Sequence, residues 1–173
     1  MSDAVIIGAG FAFLVLLGLG LGVYLLVLKR LILAQRLAIG GRYPGAVVVS
    51  AQAGMETDRA LRRVARARGV EYGRTGKVYS VSASPGHLRL HVARSAREIV
   101  DISAAELVDF RIGRTSVAFA NYTTVIFGVR AANTTFELPL RVMGPRPSSM
   151  MTANKEWAAA RGTEMMRAIS GQR

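Results

Sequence analysis

The chain contains no cysteine. Disulfides, Cys-type zinc sites, iron–sulfur clusters and thiol nucleophiles are therefore excluded. Histidine is almost as scarce: His87 and His91 are the only imidazoles, which leaves little material for a His-based acid–base centre. No serine stands in a nucleophile-elbow sequence. Acidic residues are also few. Against 23 Lys and Arg there are 11 Asp and Glu, a formal net charge of +12, so a partner recognised through charge is anionic. Twenty of the cations are Arg and three are Lys (Lys29, Lys77 and Lys155). An Arg and Ala bias is also what a GC-rich bacterial genome encodes, so codon composition supplies part of the charge. At 173 residues there is room for one spanning segment and one modest domain, because a core of ordinary size needs about 100–150 residues.

What the chain does have is a long apolar run. Ala4 to Leu28 is 25 residues without a charge or a proline. As a helix it measures about 37 Å, against a hydrocarbon layer of roughly 30 Å. Every backbone amide in hydrocarbon must be bonded within the segment, so a run of this length predicts a transmembrane helix. The leading Met1-Ser2-Asp3 carries no basic side chain, unlike the n-region of a secretory signal, which favours an uncleaved anchor. Lys29 and Arg30 follow the run at once, then Arg36 and Arg42. By the positive-inside rule the N-terminus lies outside a bacterial plasma membrane and the rest in the cytoplasm. The expected division is 1–42, a single-pass anchor with a juxtamembrane helix, and 43–173, a cytoplasmic domain. Gly40-Gly41 and Pro44 predict the helix stop a turn or two beyond the bilayer. Gly8-Ala9-Gly10 resembles the start of a dinucleotide fingerprint, but no strand precedes it and no acid follows about 20 positions on. Gly18 and Gly22 form a small-xxx-small pair that would let a second helix approach; the plainer reading is that glycine is common in such helices.

Past the anchor, Val47-Val48-Val49 reads as a short buried strand and Met55 to Gly69 as an amphipathic helix. Leu61, Val64 and Ala65 share one face of that helix; Arg59, Arg62, Arg63 and Arg66 share the other. Four arginines close in sequence to a membrane attract anionic headgroups at about 1 kcal/mol each. The alternative is a solvated helix face. From Lys77 onward the period is two. Strands are expected at 78–81, 87–92, 98–102, 108–112, 117–120, 124–130 and 135–142, seven in this stretch, as an antiparallel meander. Val108, Phe110 and Ile112 should face the core, and Pro139 marks an edge or a bulge. After Gly144-Pro145-Arg146-Pro147 a helix follows, with Ser148 or Ser149 as cap and Gly171 near its stop. Its apolar stripe would carry Trp157, Met165, Ala168 and Ile169, together with Met150 and Met151, and it would plug one end of a curled sheet.

The order Gly45 through Val49, Arg63-Val64-Ala65 before Gly69-Val70, Val78 to Val92 around Gly-His-Leu-Arg-Leu, and Ile99 to Val108 carries a resemblance. It is similar to the small actinobacterial membrane proteins with one N-terminal span and a cytoplasmic PH-like domain, a putative membrane or export family. The resemblance covers most of residues 43–170. It implies one transmembrane helix plus an α+β domain, an antiparallel PH-like β-barrel or sheet with a C-terminal helix, and it brings no catalytic residues. Phosphoinositide binding is not carried over, because Ser80 to Gly86 is uncharged.

His87 and His91, four apart, would lie about 13 Å apart on a strand, as two exposed histidines without a metal. Asp101, Glu106 and Asp109 are expected to pair with surplus arginines. The function expected is a non-enzymatic, membrane-anchored interaction or scaffold module, without a cofactor or metal, that binds a protein partner or the inner leaflet. Lys29, Arg30, Arg36, Arg59, Arg62, Arg63 and Arg66 are the candidate lipid or anion ligands, and Gly18 and Gly22 the candidate helix-packing positions. The alternatives are an accessory component of a transport or export complex and, through the basic face, nucleic-acid binding. A span without an intramembrane ionisable residue forms no substrate path alone, and nucleic-acid binding lacks interleaved aromatics.

Overall fold

The computed structural model describes residues 3–72, 78–92, 96–117, 120–145 and 151–172. The first helix, α1 (Asp3–Arg42), is continuous over 40 residues. One stretch of it, Phe11–Arg42, is long and apolar enough to cross a membrane, its most apolar 18 residues having a mean hydropathy of 2.7. Between residues 11 and 27 every side chain is exposed. The helix stops at Arg42, between Gly41 and Pro44 as expected, and the left-handed turn follows at Gly45 with φ +78°. Glycine in a helix interior costs about 1 kcal/mol, and packing of the neighbouring Ile39, 1% exposed, offsets that cost. The helix runs about 21 Å past Leu28.

Seven strands follow: β1 (Val47–Gln52), β2 (Val78–Ser84), β3 (His87–Val92), β4 (Glu98–Ser103), β5 (Leu107–Val117), β6 (Ala120–Ala131) and β7 (Thr134–Val142). All pairings are antiparallel, in the order β4-β3-β2-β1-β7-β6-β5. The first strand pairs with the last, which joins two meanders into one PH-like sheet. It is open rather than a hydrogen-bonded barrel: β4 and β5 are its edges, linked by a 3-10 turn at Ala104–Glu106.

Of the expected strand at 117–120, residues 118 and 119 lie outside the described residues, while Val117 ends β5 and pairs with Ala120, which opens β6. Among the described residues six strands follow Lys77, which itself lies outside them. Val108 does not face the core. A bulge between Leu107 and Asp109 shifts the register and leaves Val108 47% exposed. Pro139 sits where β1 no longer accompanies β7, since that pairing covers only Ala51↔Val142 and Gln52↔Arg141. Its missing N–H thus costs no ladder bond, and its carbonyl accepts from the Thr57 hydroxyl at 2.7 Å.

Two helices cover the inner face. In α2 (Met55–Ala67), Ala60, Leu61, Val64 and Ala65 are buried on the expected stripe. The second, α3 (Lys155–Ser170), is capped by Asn154, whose side chain accepts from the Trp157 N–H at 2.9 Å, and ends at Gly171, φ +72°. The proposed caps Ser148 and Ser149 lie outside the described residues, as does Met150. Met151 is 79% exposed and takes no part in the stripe; Met165 and Ile169 are buried in it as expected, Trp157 and Ala168 pack against the core, and Ala158 and Gly162 join them. Gly162 allows close approach, because a Cβ there would meet Phe110 at 2.9 Å. The helix packs on the inner face and touches strands of both meanders.

The outer face of β1–β3 is covered by α1. Leu28, Ile32, Gln35, Arg36, Ile39 and Tyr43 recur at helical spacing, and Ile32, Gln35 and Ile39 are at most 5% exposed. Ile32 packs with Val78 and Met143 in a second small core, against which Leu28 lies. A soluble chain beginning at Lys29 should therefore keep the cooperative thermal unfolding of the domain. One beginning at Tyr43 should lose at least 2–5 kcal/mol, roughly one or two buried aliphatic side chains, and show a midpoint lower by about ten degrees or more.

Candidate functional site

The alternation of a strand decides which side chains meet α1. In β2, Tyr79, Val81 and Ala83 enter the main core, so Val78, Ser80 and Ser82 point to the other face. Ser50 of β1 and His91 of β3 join them there, and each of these residues is at most 9% exposed. A polar layer is thus sealed beneath an apolar helix. Gln35 reaches into it, donating through Nε2 to the carbonyl of Val92 at 2.7 Å. Arg36 donates through Nη2 to the Val48 carbonyl at 2.7 Å. These bonds fix both the rotation and the height of α1 on the sheet, since neither carbonyl is engaged if the helix turns away.

His91 overturns the expectation of two exposed histidines. It has no exposed surface, lies 2.8 Å from the Ser82 hydroxyl through Nε2, and stacks 5.7 Å from the ring of Tyr43 at the end of α1. The alternation of β3 is unbroken here, since His91 stays in register with Ser80; the face it occupies is covered by the end of α1. His87 remains at the surface and pairs with Asp101, Nδ1 to Oδ1 2.9 Å. Arg89 binds the same carboxylate at 3.1 Å and lies over Tyr43, 4.7 Å from the ring centroid. Tyr43 in turn donates to Glu98 at 3.1 Å. The junction of anchor and domain is therefore held by an aromatic ring between a buried imidazole and an arginine.

The other candidate ligands divide by position. Lys29 and Arg30 are exposed on α1. Arg59, Arg62, Arg63 and Arg66 are all exposed on α2, with Arg62 5.9 Å from the Tyr72 ring. Tyr72 donates to Asp58 at 2.7 Å, which places one carboxylate beside the basic face. The two groups do not merge: α1 lies on the outer face of the sheet and α2 on the inner face. Arg36 belongs with neither, being turned toward the sheet. Gly18 and Gly22 lie on the exposed part of α1, and a Cβ at either would meet nothing within 4 Å. A scan against protein-family models finds no match, and neither does a search of the curated proteins.

Sequence reasoning passed over Gln35 and Tyr43 and left His91 at the surface. The signal was there, in Leu28, Ile32, Gln35, Ile39 and Tyr43 at spacings of three and four. It was hidden because Leu31, Leu33 and Leu37, on the exposed side, are just as apolar.

Burial holds the His91 imidazole below the ordinary histidine range, with the Ala96 carbonyl and Glu98 opposing that effect and Arg89 and Arg42 reinforcing it. In the unfolded chain the group takes up a proton near pH 6.5, whereas the native state does so only at lower pH. Its contribution to stability is present above about 6.5 and is lost as pH falls from there toward the native value. The thermal midpoint of the chain beginning at Lys29 should fall between pH 7.5 and 5.5, and His91→Gln should flatten that dependence.

Proposed function

We propose that the chain is a non-enzymatic, membrane-anchored interaction module, held on the cytoplasmic side of a bacterial plasma membrane with its N-terminus outside. The supporting observation is the continuity of α1: one helix is apolar and exposed in its first part and packed on the sheet in its last three turns. Such an arrangement presents a folded domain at a fixed distance from a bilayer. The orientation rests on Lys29, Arg30, Arg36 and Arg42, which follow the apolar run, against Asp3 before it. The surface offered to a partner is the four-arginine face of α2, on the side of the sheet away from the anchor, and anionic lipid of the inner leaflet is the partner its chemistry suits.

Co-sedimentation of the chain beginning at Lys29 with phosphatidylglycerol-rich vesicles tests this reading. Binding should weaken as salt is raised, over a range set by the Debye length of about 8–10 Å near physiological ionic strength. Replacing Arg59, Arg62, Arg63 and Arg66 together by Ala should lower it by roughly a hundredfold or more, at about 1 kcal/mol per cation. Unchanged binding would remove the leaflet as the partner of this face. A protein recovered in stoichiometric amount with the full chain in mild detergent would then take its place.

A further inference from the structure

His91 sits where the anchor helix and the domain are joined, and its imidazole has no exposed surface. Both partners of the junction enclose it. From α1, the ring of Tyr43 lies 5.7 Å away, and Gln35 donates through Nε2 toward the carbonyls of His91 and Val92, at 3.4 and 2.7 Å. From β2, the Ser82 hydroxyl is 2.8 Å from Nε2, and Ser80 stands opposite His91 in register. Ser50 of β1 stands opposite Ser80 in turn. The charged groups that face the ring are Arg42 of α1, Arg89 of β3 and Glu98 of β4, with the Ala96 carbonyl between the two strands. Glu98 is shared, because it accepts from Tyr43 at 3.1 Å and lies 3.6 Å from Arg89. Enclosure outweighs the help that this carboxylate gives to a charged ring.

An ionised group in a space closed to water is disfavoured, so a protonated imidazole gains by reaching solvent. Two routes lead there. Unfolding the whole domain opens the main core, in which Tyr79, Val81, Ala83, Leu88 and Leu90 lie on the other face of the same strands. Lifting the end of α1 opens only the outer layer, whose apolar content is Ile39 and the small cluster of Ile32, Val78 and Met143. The second route exposes far less apolar surface and leaves α2 and α3 in place. Partial openings of this kind lie below global unfolding in free energy.

From this geometry we propose that His91 is an acid-operated latch on the anchor: a proton on its ring releases Tyr43 and the last turns of α1 from the outer face of β1–β3 while the main core stays folded. The closed form carries the domain rigidly on the helix, and the open form leaves it hanging from the end of α1. The latch depends on the seat of α1 and is independent of the α2 face and of its proposed ligand. Its pH range follows from linkage. A ring freed to water takes up its proton near pH 6.5, and the enclosed ring does so only at lower pH. The open fraction is therefore constant above about 6.5 and grows by up to tenfold per pH unit below it, until the closed form is protonated as well. Between pH 7.5 and 5.5 the growth is about tenfold.

Because the chain has no cysteine, a single introduced thiol reports on one face at a time. Ser80→Cys places it beneath α1, and Ala83→Cys places it on the same strand in the main core; neither position has exposed surface. The full chain in maltoside micelles is treated with N-ethylmaleimide at pH 7.5 and 5.5. Each rate is divided by that of the same variant unfolded in urea at the same pH, which removes the effect of thiol ionisation. The normalised rate at Ser80→Cys should rise about tenfold on acidification, and that at Ala83→Cys should stay unchanged. Val78→Cys, on the outer face, replaces Ser80→Cys should that variant not fold. Adding His91→Gln, or His91→Asn if the glutamine variant does not fold, should abolish the rise. No rise beneath α1, an equal rise in the main core, or a rise that persists without His91 overturns the proposal.

Discussion

The contact on which the rest of this molecule depends is the seat of α1 on the outer face of β1–β3. Without it the sheet would present Ser50, Ser80, Ser82, His91 and Val78 to water, and the apolar helix would end in a free stalk. With it, Ile32 and Ile39 are dry, and Gln35 and Arg36 donate to the Val92 and Val48 carbonyls. Apolar burial alone is non-directional. The two side-chain-to-backbone bonds add direction, because each selects one rotation of the helix among several that would bury comparable area.

Arginine plays two roles here, and charge counting does not separate them. Arg68 closes α2 onto Glu106 at 2.7 Å and onto the Asp101 carbonyl. Arg89 links β3 to Asp101 and to Tyr43. Arg141, 6% exposed, donates to Thr115 at 3.1 Å and stacks on Tyr122. A planar guanidinium can satisfy carbonyls and hydroxyls while covering an aromatic ring, which lysine does poorly. Part of the +12 is thus structural, and the four arginines of the α2 face are among the cations the fold leaves at the surface.

Most of the architecture was legible in the sequence, for reasons that also explain the errors. Period-two alternation found β3, β6 and β7, since one face of each is buried against α2 and α3 and the pattern is imposed by that burial. It failed at Val108, which a bulge turns off the core face; at His91 the alternation holds, and burial comes from the end of α1 and Tyr43 covering the outer face. The 117–120 segment looked like a strand of its own, because nothing in Ser116 to Ala120 carries turn chemistry. The basic face of α2 was readable from spacing alone. The seat of α1 was not, because Gln35 and Arg36 find the Val92 and Val48 carbonyls only once β1, β2 and β3 are paired into one sheet.

A flexible linker and a docked helix have opposite consequences for a domain beside a bilayer. A linker of fourteen residues would let the arginines of α2 find the leaflet in any orientation. A helix whose last turns are packed into the domain removes that freedom, so the domain moves only as the span moves. The apolar run exceeds the hydrocarbon thickness by several ångströms, an excess that a helix accommodates by tilting. If α1 spans a bilayer as proposed, its tilt sets how far the opposite side of the sheet, and the α2 face with it, stands from the headgroups. Anything that then held the span at a given angle, bilayer thickness or a helix packed on Gly18 and Gly22, would act on the reach of the basic surface without touching it.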